Sequence, residues 1–314
     1  QTVVATAGTN TITTLDAADI ITMGSGVDTI SSGAGNDTIT VATANLVSTD
    51  TVTAGAGTDT LALSNAATVV DADFTLVTGV EKINSGNNNL TLTLGSASSA
   101  AGIATVTGGT GTNSITIGAG HTAATTVALV AGTDTVAATN YTGALTVTAA
   151  DDSITSADTI TAGTGSSDTL TITGGGTALA AGDLASVTAF ETFKVATNAA
   201  TGITTHDNNV VAGGTMTVNA AAMTTTVFSF SGAAETDGTF AITTLGTGAH
   251  IVTLGNGSDT YTSTNTAGVN TVVATAGNNT ITTAAGADII TLGSGTDTVT
   301  TGAAADTINS SSAN

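Results

Sequence analysis

Carboxylate and carboxamide side chains recur every nine residues toward both ends of this chain, and that spacing constrains the fold more than any other feature. Asn10, Asp19, Asp28 and Asp37 form one series, and Asn279, Asp288, Asp297 and Asp306 form another; Asp50 and Asp59 are a further pair. A fixed short period is the mark of a solenoid, in which each unit buries its apolar face only by stacking on its neighbours. Around these positions one phrase returns: Gly-x-Gly-x-Asp-Thr-apolar. It runs through Gly24, Gly26 and Asp28 to Ile30, and through Gly33, Gly35 and Asp37 to Ile39. It returns through Gly55, Gly57 and Asp59 to Leu61, through Gly255, Gly257 and Asp259 to Tyr261, and through Gly293, Gly295 and Asp297 to Val299. Three copies are altered: the one holding Asp168 carries an extra Ser, the one holding Asp306 has Ala304 for its second Gly, and a third has Asn113 for its Asp.

The phrase has a direct physical reading. Glycine tolerates positive φ, so the turn can aim backbone carbonyls toward one point. The Asp adds a carboxylate at the end of the turn, and Thr-apolar-Thr makes a very short strand with its apolar side chain inward. Two nonapeptide units then make one coil with a strand on each side, and coils stack at strand spacing, about 4.8 Å. Ile30, Ile39, Leu61, Leu170, Ile290 and Val299 are the expected inward column, and cations are expected between turns of adjacent coils.

Charge makes the same demand independently. The chain has 23 acidic residues against two lysines, for a formal charge of −21. Nucleic-acid binding needs cations to displace phosphate counterions, and this chain has almost none; an anionic membrane surface is disfavoured for the same reason. Regular β-branched alternation excludes disorder, so a compact fold needs added positive charge. An oxygen-rich, His-poor set without Cys suits Ca²⁺. No apolar run reaches about 18 residues, so no membrane-spanning helix is expected. The first residue, Gln1, is what a processed product or a fragment would show.

These residues resemble the RTX nonapeptide repeat, Gly-Gly-x-Gly-x-Asp-x-apolar-x, which forms a calcium β-roll. The first Gly of that pattern is replaced here by Met23, Ser32, Ala54, Leu254 or Leu292. The resemblance implies Ca²⁺ at Gly24, Gly26, Asp28, Gly33, Gly35, Asp37, Gly55, Gly57, Asp59, Gly255, Gly257, Asp259, Gly293, Gly295 and Asp297, with Asp19, Asp168, Asp288 and Asp306 in the same role. A second unit repeats at a longer interval. Asp73 to Ile83 contains Val77-Thr-Gly-Val-Glu81, and Asp183 to Phe193 contains Val187-Thr-Ala-Phe-Glu191. Each reads as a turn or helical corner entering a strand. They resemble corners of RTX-bearing surface-layer proteins of Gram-negative bacteria, which implies an exported, extracellular structural protein. Glu81 and Glu191 are expected to pair locally with Lys82 and Lys194.

Residues 2–40 also align without a gap to residues 271–309, identical at 27 of 39 positions. The two ends are therefore expected to form the same coil. Uncapped strand edges are templates for another chain, which points to head-to-tail association of this chain with itself. A cell-surface glycan or lipopolysaccharide is a further candidate partner.

Catalytic arrangements are missing from the sequence. His121, His206 and His250 have no His or Cys at ligand spacing and are expected to be exposed or merely packed. No Gly-x-Ser-x-Gly elbow and no Gly-Lys-Ser/Thr phosphate loop occurs. Asp71 with Asp73, and Asp151 with Asp152, read as turn residues or extra calcium ligands rather than a glycosidase pair, since the chain has no Trp and two Tyr. All six Phe are expected in the core.

The expected fold is an all-β parallel solenoid with nonapeptide coils at 1–61 and 251–314. Between them, 62–250 is expected to form either a wider, irregular β-helix or a sandwich-like body with two related units. The expected function is mechanical and non-enzymatic: a subunit of a calcium-dependent extracellular filament or surface layer, with a repeat segment of an adhesin as the alternative.

Overall fold

Short Thr-apolar-Thr segments bury one side chain each, so they gain stability only when stacked. In the computed structural model, which describes residues 1–174 and 176–310, they stack in parallel throughout. The chain divides into two compact units, 1–147 with 159–166, and 148–158 with 167–314. Each is a parallel β-solenoid.

In the first unit, one face is built from Thr2–Val4, Ile20–Thr22, Thr38–Val41, Thr60–Leu63, Lys82–Asn84, Thr105–Thr107 and Thr125–Ala128 in that order. A second face stacks Thr11–Thr13, Thr29–Ser31, Thr51–Thr53 and Val77–Thr78, and a third stacks Ala67–Val69, Leu90–Leu94, Asn113–Ile117, Asp134–Ala137 and Thr159–Thr161. Thr2 pairs with Ile20 and Ile20 with Thr38, so each of these coils is made of two nonapeptides. The next coil, from Thr38 to Thr60, is longer because the 3-10 turn Thr43–Asn45 is inserted.

In the second unit, Thr169–Ile172, Thr192–Val195, Thr215–Ala220, Thr239–Gly246, Thr260–Asn265, Thr280–Thr282 and Thr298–Thr300 form one face. Thr201–Thr204, Phe228–Ser231, Ile251–Thr253, Thr271–Ala274, Ile289–Leu292 and Thr307–Ser310 form the other. Coils here tighten along the chain: the one from Thr201 to Phe228 is half as long again as the one from Ile289 to Thr307. The middle of the chain is therefore wider solenoid and not a sandwich. The only α-helix among the described residues is Ser96–Ala101, a corner insertion.

Register turns alternation into columns. Ile21, Ile39, Leu61, Ile83, Val106 and Val127 stand over one another, all essentially without solvent exposure. In the second unit Ile203, Phe230, Val252, Val272, Ile290 and Ile308 form a column too, buried in all but Ile308. Each fully buried rung of this kind stabilises by about 1.5–3 kcal/mol relative to exposure. Ile30, Ile39, Leu61, Leu170 and Ile290 are buried as expected, and all six Phe are core. Val299, on the outermost coil, is half-buried.

Columns also explain the departure from the consensus at its first Gly. Met23, Ala54 and Leu254 point into the core and are buried. Ser32 is buried too; its hydroxyl donates to the Ala54 carbonyl at 2.9 Å, and its own carbonyl accepts from Thr14 Oγ1 at 2.9 Å. A side chain here extends the apolar column by one rung, which glycine cannot do.

Candidate metal centre

The residue just before each strand occupies one recurrent place. Asp28 precedes Thr29–Ser31, Asp37 precedes Thr38–Val41, and Asp288 precedes Ile289–Leu292. From that place the carboxylate reaches back one coil and accepts a backbone N–H through Oδ1. Asn10 N–H donates to Asp28 at 2.9 Å and Asp28 N–H to Asp50 at 2.9 Å. Asp19 N–H donates to Asp37 at 2.8 Å and Asp37 N–H to Asp59 at 2.7 Å. The far end repeats the device: Asn270 N–H donates to Asp288 at 2.7 Å, Asp288 N–H to Asp306 at 2.9 Å, and Asn279 N–H to Asp297 at 2.9 Å. These are ladders of carboxylates, one per half-coil and mostly buried.

Each ladder leaves an oxygen over. Oδ2 of Asp19, Asp28, Asp37, Asp59, Asp259 and Asp288 is buried and accepts no hydrogen bond. Burying a carboxylate oxygen without a partner is costly. No lysine lies within ion-pair distance of a carboxylate among the described residues. Burial pushes Asp59 upward, with the charges of Asp37 and Glu81 adding to it against a backbone hydrogen bond. Burial likewise pushes Asp259 up to about 6, with Glu235 adding to it against two backbone hydrogen bonds.

Turn glycines bring the backbone close. A Cβ on Gly55 would lie 1.7 Å from the Gly33 carbonyl oxygen, and one on Gly57 would lie 1.8 Å from that of Gly35; both have positive φ. Gly24, Gly26, Gly33 and Gly35 in the first unit, and Gly255, Gly257, Gly293 and Gly295 in the second, are pressed in the same way against backbone of the preceding coil. The groups in this layer are carbonyl and carboxylate oxygens, and the chain has no Cys. That donor set fits a hard divalent cation. The free Asp oxygens and the turn carbonyls are the groups that would hold it.

The structure places Asp168 on the ladder as well: its N–H donates to Glu191 Oε2 at 2.7 Å. Asp59 N–H donates to Glu81 Oε2 at 2.7 Å. This corrects the local-ion-pair reading of Glu81 and Glu191. Each glutamate stands just before a strand and takes the place that Asp fills elsewhere. There are two further substitutes: Asn113, which already stands for the Asp in an altered copy of the phrase, and His250, which sequence reasoning missed. Asn113 sits on the ladder and donates through Nδ2 to Asp134 at 2.7 Å. His250 precedes Ile251–Thr253 and accepts the Phe228 N–H at Nδ1, 3.3 Å. The signal for Glu81, Glu191 and His250 is position before a strand, not residue type; Asn113 is the first residue of the strand Asn113–Ile117.

His121 and His250 are fully buried, the packed alternative of the expectation; burial holds each imidazole below its usual pKa. His121 bonds the Ser98 and Thr125 side chains at 3.2 Å and 3.0 Å and is packed. Asp71 accepts the N–H groups of Gly95, Ala97 and Ser98 at 2.7 Å, 3.1 Å and 2.8 Å. Burial pushes its carboxyl up, and these bonds outweigh that to hold it below the usual range. Asp151 accepts the Thr177 N–H at 3.0 Å. Both are turn fasteners.

The model of one protein family, described as the RTX calcium-binding nonapeptide repeat, matches the chain in four copies at residues 2–39, 48–64, 264–299 and 292–314. No curated protein matches the chain. At 2–39 and toward the chain's other end the matched coils are two nonapeptides long, while the stretch at 48–64 lies in longer coils. Over those stretches the chain carries RTX calcium-binding nonapeptide repeats, and Ca²⁺ is the ion such coils bind.

Proposed function

We propose that the chain is a non-enzymatic structural subunit of a calcium-dependent extracellular polymer, a filament or surface layer of a Gram-negative bacterium, whose copies join head to tail through their terminal coils. RTX calcium-binding repeats in a β-solenoid suit a mechanical role, and the ladders would take from extracellular calcium the positive charge that the chain itself lacks. No helix among the described residues is long and apolar enough to cross a membrane.

The observation that carries the head-to-tail reading is the likeness of the two ends. Residues 2–40 and 271–309 are identical at 27 of 39 positions. Thr2–Val4 pairs with Ile20–Thr22, and Ile289–Leu292 with Thr307–Ser310, both at a spacing of two nonapeptides. A coil of the 2–40 type laid on Thr307–Ser310 would cover Ile308, which continues a buried column yet is 50% exposed. It would also place Asp19 and Asp28 in register with Asp297 and Asp306. Such a contact is heterologous, so it propagates as a filament unless the rotation closes a ring.

Deleting residues 1–40 from the full chain tests this. In calcium the full chain should form ordered polymers by electron microscopy, and the truncated, folded chain should remain dispersed at the same concentration. Equal polymerisation of both would refute the terminal joint. A full chain that stays monomeric in calcium and binds lipopolysaccharide or a surface glycan would replace the polymer with the adhesin reading.

A further inference from the structure

The second unit holds an acidic site outside every repeat the family model matches. Asp207, Glu235 and Asp237 each present one carboxylate oxygen within 4.8 Å of the other two. Oxygens this close can converge on a single ion with small side-chain adjustment, to the roughly 2.3–2.6 Å that Ca²⁺ takes. We propose that these three carboxylates form an additional divalent-cation site, for Ca²⁺, that fastens two successive wide coils of the second unit.

The second observation is Glu235 itself. It is fully buried, and its Oε2 accepts no hydrogen bond. Its Oε1 is held in place by the N–H groups of Gly238 at 2.7 Å and Asp237 at 3.1 Å. Those two bonds fix the carboxylate and pair one oxygen, leaving the other without a partner. Lys194, the one lysine of this unit, makes no ion pair with a carboxylate of the described residues. A buried carboxylate with a spare oxygen and no cation nearby calls for a counter-ion.

Asp207 and Asp237 supply the open side. Asp207 begins the 3-10 turn Asp207–Asn209, and its Oδ1 accepts from Thr236 N at 3.0 Å and Thr236 Oγ1 at 2.9 Å. That pair of bonds ties the turn of one coil to the turn of the next. Asp207 is half-buried and Asp237 exposed, and both line an open surface depression with Asn208 and Ala212. An ion can enter from solvent, meet two accessible carboxylates and reach the buried third. All three donors are hard oxygens, and remaining positions are free for water, as Ca²⁺ accepts. The coils joined here lack the nonapeptide, and the one from Thr201 to Phe228 is half as long again as the repeat coil from Ile289 to Thr307. A wide coil has more backbone to order, and an ion across two of its turns orders it.

Equilibrium dialysis of the full chain with ⁴⁵Ca²⁺ tests the site separately from polymer formation, which it does not require. The D207N/D237N variant keeps the Thr236 acceptor through the Asn oxygen and should fold, by circular dichroism, as the wild type does. It should bind one Ca²⁺ fewer per chain, with the remaining sites unchanged. A second variant guards against misfolding of the first. In E235Q the Oε1 acceptor is retained and a buried charge is lost. It should also bind one Ca²⁺ fewer, melt no lower than wild type without calcium, and melt lower than wild type with it. Wild-type stoichiometry in both variants overturns the proposal.

Discussion

Stripping calcium from the full chain lowers its thermal midpoint by on the order of 10 °C or more, by the following arithmetic of ligand linkage. An ion bound only by the folded state stabilises it by about 2.7 kcal/mol at a hundredfold excess over its dissociation constant. A protein this size shifts by about 2–4 °C per kcal/mol. Two or three occupied ladder sites suffice for the stated effect. pH dependence should change sign with the ion. In the metal-free chain, the folded pKa values of Asp259, pushed up to about 6, and of Asp59, also raised, lie above the ordinary carboxylate value. The folded state then holds more protons than the unfolded state between that value and about 6, so stability present at the acid end is lost as pH rises through the window. With calcium the protons compete with the ion for the same oxygens, and stability rises with pH instead. Scanning calorimetry of decalcified and calcium-loaded protein at several pH values across that window measures both. A melting curve indifferent to calcium contradicts the ladder sites.

Ile39→Asp should abolish folding. Ile39 is buried without exposure between Ile21 and Leu61 in one column. Losing the side chain costs about 2–5 kcal/mol, and a carboxylate buried without a partner adds several more. Together they approach the whole stability of a typical fold, about 5–15 kcal/mol. The control is Ile20→Asp, at a strand position 50% exposed, which should leave the chain soluble and folded. Soluble Ile39→Asp protein with a wild-type far-ultraviolet spectrum would contradict the stacking.

The ends of the fold are legible from sequence because coil length equals twice the motif length there. Asp28 and Asp37 announce both the turn and the register, and Ile30 and Ile39 the column. The legibility fades where turns are inserted. Thr43–Asn45 lies between Asp28 and Asp50, and Asp71–Phe74 separates Asp59 from Glu81. The ladder survives these insertions; the spacing does not. Glu81 and Glu191 were hidden for a second reason: each adjoins or nearly adjoins a lysine, which suggests a pair on the surface. The strand that follows decides the matter, because it places the glutamate at the start of a coil and turns its side chain toward the one before.

Asp207, Glu235 and Asp237 could not be joined from sequence at all. Asp207 and Thr236, which the structure bonds, are 29 positions apart, a distance belonging to no repeat in the chain. Their meeting depends on the width of one coil, set by turns that carry no motif. The buried histidines are similar. His250 reads as an isolated polar residue among Gly, Ala and Ile, yet it accepts a ladder hydrogen bond because Ile251–Thr253 begins beside it.

Anomalous X-ray diffraction from crystals of the full chain grown in calcium bears most directly on the ladders as a calcium array. Peaks should lie between successive turns at both ends, within about 2.3–2.6 Å of carboxylate oxygens, with Oδ2 of Asp28, Asp37 and Asp288 among the ligands. Turns filled by water alone at millimolar calcium, with those oxygens hydrogen-bonded to it and no anomalous signal, would show that the buried carboxylates serve the fold without the ion.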